Sequence, residues 1–277
     1  MLDWRIAIER RFRAARLVYG HGTTNARGEA AWLVAHAARV PFAALDAEGQ
    51  RIPNARVAAR IMRIARARVS ERVPLAYLLG EAWLGGYRFH VNRRVIVPRS
   101  FIAPMLAERL APWITQPTRI RRVLDMCTGS GCLAILAAHA FPRATVDAVD
   151  LSAAALTVAR RNIRAHRLAS RVQAIRSNLF EGLQGRRYDL IIANPPYVTA
   201  RNMRVLPQEY RAEPALALAG GPDGLDLVRR LLDGMRAHLR PGGMLLVEIG
   251  RGRAQVERAF PDLPLVWLDD AVFLYEP

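Results

Sequence analysis

The chain has 277 residues, enough for one large domain or for a core domain with a smaller partner. Apolar residues make up 52%, ample for a buried core, and 41 basic against 24 acidic residues leave a net charge of +17. Every basic residue is arginine, which excludes a Schiff-base lysine and a P-loop lysine.

Such a charge favours acidic partners, nucleic acid above all, unless it is only a basic, solvated surface. Cys127 and Cys132 are the two cysteines. Their spacing is not C-x-x-C and no paired histidines follow, so no metal is expected and a reducing cytosol is. The first residues, Met1-Leu2-Asp3-Trp4-Arg5, lack the basic-then-apolar pattern of a secretion signal. No apolar run approaches the roughly 20 residues that span a bilayer. The expected location is the cytoplasm.

Residues 3–19 place Trp4, Ile8, Phe12, Ala15 and Val18 at helical spacing. Thr23 or Thr24 is the candidate cap of a second helix running to about Arg39, with Pro41 as its stop. Pro53 opens a third. It turns Val57, Ile61, Ile64 and Ala65 inward and Arg56, Arg60, Arg63, Arg66 and Arg68 outward. These helices predict a small N-terminal domain, residues 1–72. Its arginine face is either a solvated surface or a contact for RNA. Residues 73–100 read as a linker in which Gly85-Gly86 turns a β-hairpin. Val95 to Ser100 reads as a short strand broken by Pro98, and Ser100 as the cap of a helix to about Leu110.

From Arg121 strands alternate with helices, which predicts a parallel sheet and an α/β domain over residues 101–277. Strands are expected at 122–126, 144–149, 171–176, 188–193 and 243–249. Helices are expected at about 131–140, 152–165, 224–239 and 252–260. Residues 265–268 and 272–275 read as a terminal antiparallel hairpin.

Two stretches carry the chemistry. The first is Val123-Leu124-Asp125-Met126-Cys127-Thr128-Gly129-Ser130-Gly131, a strand, a glycine turn and a helix start. It resembles half of a dinucleotide fingerprint, but residue 134 is alanine where that motif has its third glycine. Asp150 ends the next strand, where a carboxylate accepts from ribose hydroxyls. That fits NAD or S-adenosylmethionine equally. The second stretch is Asn194-Pro195-Pro196-Tyr197, directly after the apolar run 188–193. Consecutive prolines cannot continue a strand and remove two backbone donors. The strand therefore stops abruptly in a stiff loop at its carboxyl end, where open α/β sheets bind ligands. Asn194 offers an amide oxygen there and Tyr197 an aromatic face. The alternative is a rigid strand exit with no chemistry.

Together these motifs resemble the amino-group methyltransferases that use S-adenosylmethionine. The resemblance sharpens at Pro74-Leu75-Ala76-Tyr77, Leu79-Gly80-Glu81, Glu213-Pro214-Ala215-Leu216-Ala217-Leu218 and Gly221-Pro222-Asp223-Gly224-Leu225. These are similar to the protein-glutamine methyltransferases, from about residue 70 to the end. Val97-Pro98-Arg99-Ser100-Phe101-Ile102-Ala103, Asn202-Met203 and Leu206-Pro207-Gln208-Glu209-Tyr210-Arg211 resemble the branch that acts on large-subunit ribosomal protein L-three. Phe101, where that branch commonly has proline, is a departure.

The resemblance implies a class I, Rossmann-like methyltransferase fold with a small helical substrate-binding domain. Its cofactor is S-adenosylmethionine. It implies a glutamine amide held by Asn194 and Pro195, with Pro196, Tyr197 and Arg99 at the substrate. Asn194, Pro195 and Tyr197 take the catalytic roles. Asp125, Thr128, Gly129, Gly131, Asp150, Asn178, Phe180 and Asn194 would serve the cofactor. Relatives often carry aspartate at position 178, and Phe180 is either an adenine contact or core. The implied partners are ribosomal protein L-three and, through the arginines, ribosomal RNA or a pre-ribosomal particle. Three alternatives stand beside this reading: a release-factor glutamine methyltransferase, an adenine or cytosine methyltransferase of nucleic acid, and a non-catalytic ribosome-assembly factor.

Overall fold

The computed structural model describes residues 1–45 and 53–276. It divides into two compact units. One comprises Met1–Ala82 with Pro207–Ala212, the other Trp83–Leu206 with Glu213–Pro277. The first therefore extends ten residues beyond the boundary expected at 72, and it takes in a short segment from far along the chain.

The first unit is built on α1 (Leu2–Ala14), α2 (Ala26–Ala38), α3 (Ala55–Glu71) and the short α4 (Leu75–Leu79). Neither Thr23 nor Thr24 caps α2. Asn25 does, accepting from the Gly28 N–H, and Asn54 caps α3 in the same way at Val57. Arg39 and Arg72 end these helices in left-handed conformations. Ile8, Phe12, Leu33, Val34, Ile61, Ile64 and Ala65 form the interior. The expected outer face of α3 needs one correction. Arg56, Arg63 and Arg66 are exposed and Arg60 is half-buried, but Arg68 is fully buried. Its Nε donates to both oxygens of Glu29, at 3.3 and 3.2 Å, and its Nη2 to the Val18 carbonyl at 3.0 Å. Glu209, from the inserted segment, accepts from the Val18 N–H at 3.0 Å and pairs with Arg72 at 2.8 Å. A buried guanidinium persists only where carboxylates and carbonyls take up its donors.

The hairpin is β1 (Glu81–Leu84) with β2 (Tyr87–His90), turning at Gly85-Gly86 as its glycine pair requires. Beyond it, residues 95–100 form no strand. The Val97 N–H donates to the Glu213 carboxylate instead of to a neighbouring strand, and Pro98 has no donor. Helix α5 (Ile102–Ala107) stops three residues short of the expected Leu110. Ser100 is not its cap: Phe101 holds that position without a side-chain cap hydrogen bond, and Ser100 Oγ, one residue earlier, accepts from the Ile102 N–H.

The second unit then alternates β3 (Arg122–Met126), α6 (Cys132–Ala140), β4 (Thr145–Asp150), α7 (Ala153–Ala165), β5 (Val172–Arg176) and β6 (Tyr188–Ala193). It continues through α8 (Ala200–Arg204), α9 (Asp226–His238), β7 (Leu239–Glu248), α10 (Arg253–Ala259), β8 (Leu265–Trp267) and β9 (Val272–Tyr275). Seven strands run in the order β5-β4-β3-β6-β7-β9-β8, with β9 antiparallel to both its neighbours. Side chains alternate between two cores. Val123, Leu190, Ile192 and Leu246 face α5 and α6, while Leu124, Ile191, Ala193, Leu245 and Val247 face α9 and α10. Burial on both faces is why the strands read as apolar runs.

The chain leaves β3 outward to β4 and β5, then returns to β6 on the other side of β3. That reversal opens a crevice at the carboxyl ends of β3 and β6. The register makes the crevice level. Val149 pairs with Met126, Met126 with Ala193, and Ala193 with Val247. One residue beyond that row stand Asp150, Cys127, Asn194 and Glu248.

Candidate active site

A cavity opens at those strand ends. Met126, Cys127, Gly129, Val149, Asp150, Asn178 and Asn194 line it together with Pro196, Pro214, Leu216 and Leu227. Val95 and Ile96, expected as strand, form another part of its wall.

The turn after β3 is fixed from beneath. Thr128 Oγ1 and the Ala134 N–H both donate to Asp125 Oδ2, and the Thr128 N–H donates to the Val149 carbonyl. Gly131 sits at φ 81°, and a Cβ there would come within 3.3 Å of the Ala159 backbone on α7. Only glycine meets both conditions without strain. Asp125, Thr128 and Gly131, expected at the cofactor, brace the loop and do not line the cavity. Asp125 is fully enclosed, and burial pushes its carboxyl up to about 7 against the two hydrogen bonds it accepts.

That shift has a consequence for stability. The folded pKa lies above the unfolded one, so the folded state holds the proton more tightly. Stability is then greatest below the unfolded pKa of about 4 and is lost as pH rises towards about 7. Urea unfolding of the wild type should show this decline, and Asp125→Asn should flatten it. A wild-type curve without the decline would contradict the assignment.

Asp150 faces the cavity with both oxygens already oriented. Oδ2 accepts from the Gly129 N–H at 2.9 Å and Oδ1 from the Ser152 N–H at 2.8 Å. Each oxygen keeps a lone pair for a further donor. Burial raises the carboxyl above the ordinary aspartate value despite these bonds, so hydroxyl donors from a ligand would relieve an incompletely solvated charge. With Met126, Val149 and Leu227 as apolar walls, the cavity fits a group that combines a diol with a flat, mostly apolar ring.

Asn178 lines the cavity, but its amide is engaged. Nδ2 donates to Glu181 at 2.6 Å and Oδ1 accepts from Arg230 at 3.0 Å. Phe180 does not line it. Its ring stacks on His238 with centroids 4.4 Å apart and lies against Gly234 of α9, packing partly buried on the edge of that core.

Asn194 and Pro196 line the same cavity as Gly129, and Pro195 and Tyr197 flank them in sequence. The tyrosine ring is seated on Gly250, where a Cβ would come within 2.6 Å of the ring at a backbone φ of 55°. The next residue, Val198, is tied down by Val198 N–H to Leu218 O (2.8 Å) and Gly220 N–H to Val198 O (2.9 Å). Arg99, expected at the substrate, does not line the cavity. It forms a two-pronged pair with Glu213, at 2.7 and 2.6 Å. Gly250, which seats Tyr197, carried no signal in the sequence. Glu213-Pro214 was visible only as part of a resembling segment with no assigned role.

The methyltransferase small domain family matches residues 105–209. A ribosomal protein uL3 glutamine methyltransferase of Bordetella pertussis is 55% identical over 94% of this chain and 88% of its own length. The chain belongs to the uL3 glutamine methyltransferase family. Another relative of the same name, from Burkholderia pseudomallei, is 49% identical over 95% of this chain and 90% of its own. Among solved structures, the hMettl16 catalytic domain in complex with MAT2A 3′UTR hairpin 1 matches with a TM-score of 0.51. It is 15% identical and covers 79% of this chain and 80% of its own, a likeness of fold. The sheet of this uL3 glutamine methyltransferase family member is that of the class I methyltransferases, and its two motifs meet at the switch point of that fold.

Proposed function

We propose that this protein transfers a methyl group from S-adenosylmethionine to the side-chain amide nitrogen of a glutamine in ribosomal protein uL3. The observation that carries the reading is the meeting of Asp150, Gly129 and Asn194 in one cavity, within a chain of this family. S-adenosylmethionine supplies a methyl group on a sulfonium, open to displacement by a nucleophile. Asp150 and the 127–129 turn would hold its ribose and backbone. Asn178 borders the same pocket, and Met126, Val149 and Leu227 offer apolar surface to its base.

An amide nitrogen is a poor nucleophile because its lone pair is delocalised into the carbonyl. Orientation must therefore supply much of the rate, and well-placed reactants gain up to about 7–11 kcal/mol this way. Asn194 Oδ1 and the Pro195 carbonyl would accept the two N–H bonds of the glutamine amide. That fixes the nitrogen and stabilises positive charge as the N–C bond forms. Tyr197, held on Gly250, would cover the amide plane. The turn holds no strong base, so the surplus proton leaves to water.

Asp150→Asn should weaken S-adenosylmethionine binding about 100-fold, near 3 kcal/mol, the scale of losing a charged acceptor shared by two donors. Calorimetry reads this directly. Affinity within threefold of wild type would remove Asp150 from the cofactor.

The first unit would hold the substrate, and exposed Arg56, Arg63 and Arg66 would lie towards nearby RNA. Incubation with methyl-labelled S-adenosylmethionine and uL3, ribosomal RNA, or both tests the whole reading. Label is expected in uL3 and more of it when RNA is present. Label in RNA would replace the reading with a nucleic-acid methyltransferase. Labelling of uL3 that RNA does not change would remove RNA from the account.

A further inference from the structure

We infer that Glu213 and Arg99 are positioning residues for the transfer: together they hold the Arg99 carbonyl where it selects the reactive orientation of the Asn194 amide. The inference rests on Asn194 orienting the glutamine, as proposed above.

An asparagine amide has two orientations of nearly equal shape, and only its surroundings choose between them. For Asn194 one orientation presents an oxygen to the glutamine N–H bonds. The flipped one presents N–H donors to N–H donors and blocks binding in the reactive pose. The discriminating neighbour is the Arg99 carbonyl, which accepts from Asn194 Nδ2 at 3.5 Å. A carbonyl oxygen repels an amide oxygen, so this contact turns Oδ1 away from Arg99. At that length the contact is weak. The preference therefore depends closely on where the carbonyl is held.

No sheet or helix holds it, because residues 96–100 have no regular structure. One carboxylate takes the place of a strand partner. Glu213 Oε1 accepts from the Val97 N–H at 2.9 Å and from Arg99 Nη1 at 2.7 Å, while Oε2 accepts from Arg99 Nη2 at 2.6 Å. Arg99 Nη1 also donates to the Val97 carbonyl at 3.2 Å, closing the tripeptide on itself. On the far side, Ser100 Oγ and the Phe101 N–H donate to Glu248 at the end of β7. The Arg99 carbonyl is thus set between two carboxylate anchors. The Glu213 side chain is fully buried. A forked guanidinium pair fixes direction as well as distance, which a lysine cannot reproduce.

The test is a double-mutant cycle on the full-length protein with uL3 as substrate. It reads single-turnover transfer at saturating S-adenosylmethionine and uL3, with cofactor affinity measured on the same samples. Glu213→Gln keeps an acceptor for Val97 but loses the fork. It should slow transfer about tenfold, the scale of one lost hydrogen-bond preference, with cofactor affinity within about threefold. Arg99→Lys keeps the charge and should slow transfer in the same way, so the test survives if the glutamate variant does not fold. Placed on Asn194→Ala, either change should cost less than about twofold, because no amide remains to orient. Additive losses in the double variants, or losses explained by cofactor affinity, would overturn the inference and leave the pair as scaffold. Near-normal transfer by Asn194→Ala alone would overturn the proposed role of Asn194 itself.

Discussion

Asn194→Ala should lose about 10²–10³-fold in single-turnover methyl transfer, the cost of removing one preorganised dipole at a site of developing charge. Asn194 lies one residue past the β6 row and lines the same cavity as Pro196, Gly129 and Asp150. Its truncation removes an acceptor for the glutamine amide. It leaves the Asp150 hydrogen bonds with Gly129 and Ser152 in place. Cofactor affinity should therefore change by less than about tenfold, under 1.4 kcal/mol. Loss of cofactor binding with unchanged transfer at saturation would move Asn194 into the cofactor site.

Arg68→Met should destabilise the first unit by about 3–5 kcal/mol, the range seen when one partner of a buried ion cluster is removed. Arg68 has no solvent exposure, and Glu29 and Glu209 beside it are equally enclosed. Burial already pushes the Glu29 carboxyl above its ordinary value, against the pull of Arg68. Without the guanidinium that carboxyl would rise further. The folded variant would then hold its proton more tightly than the unfolded chain, and its deficit should shrink as pH falls through the carboxylate range. Hydrogen exchange of α2 and α3 amides reads the loss locally. Protection equal to wild type at neutral pH would mean that the methionine side chain packs as well as the ion cluster it replaces.

The sheet was legible because its strands are buried on both faces and separated by helices of regular period. The hairpin at Gly85-Gly86 was legible from its turn chemistry. Failures came where a partner distant in sequence decides the outcome. Position 68 follows 61, 64 and 65 at inward spacing, yet its charge led to an outward assignment. Its partner Glu29 lies 39 residues away. The run Val95-Ile96-Val97 has strand composition, but the Val97 N–H is taken by Glu213, 116 residues on. At the site, the motifs marked candidates and not how each is placed. Asp125, Thr128 and Gly131 support the glycine turn from below. Phe180 belongs to the packing of α9, and Arg99 is committed to a carboxylate. Spacing along a strand exit cannot separate a residue that faces a cavity from one that braces its wall.

Glutamine methylation through Asn194 is tested by a fragmentation mass spectrum of uL3 after reaction with this protein and S-adenosylmethionine, with Asn194→Ala as control. One added methyl group on the side-chain amide of a single glutamine is expected, absent with the variant. A methyl group on any other residue type, or equal methylation by the variant, would contradict it.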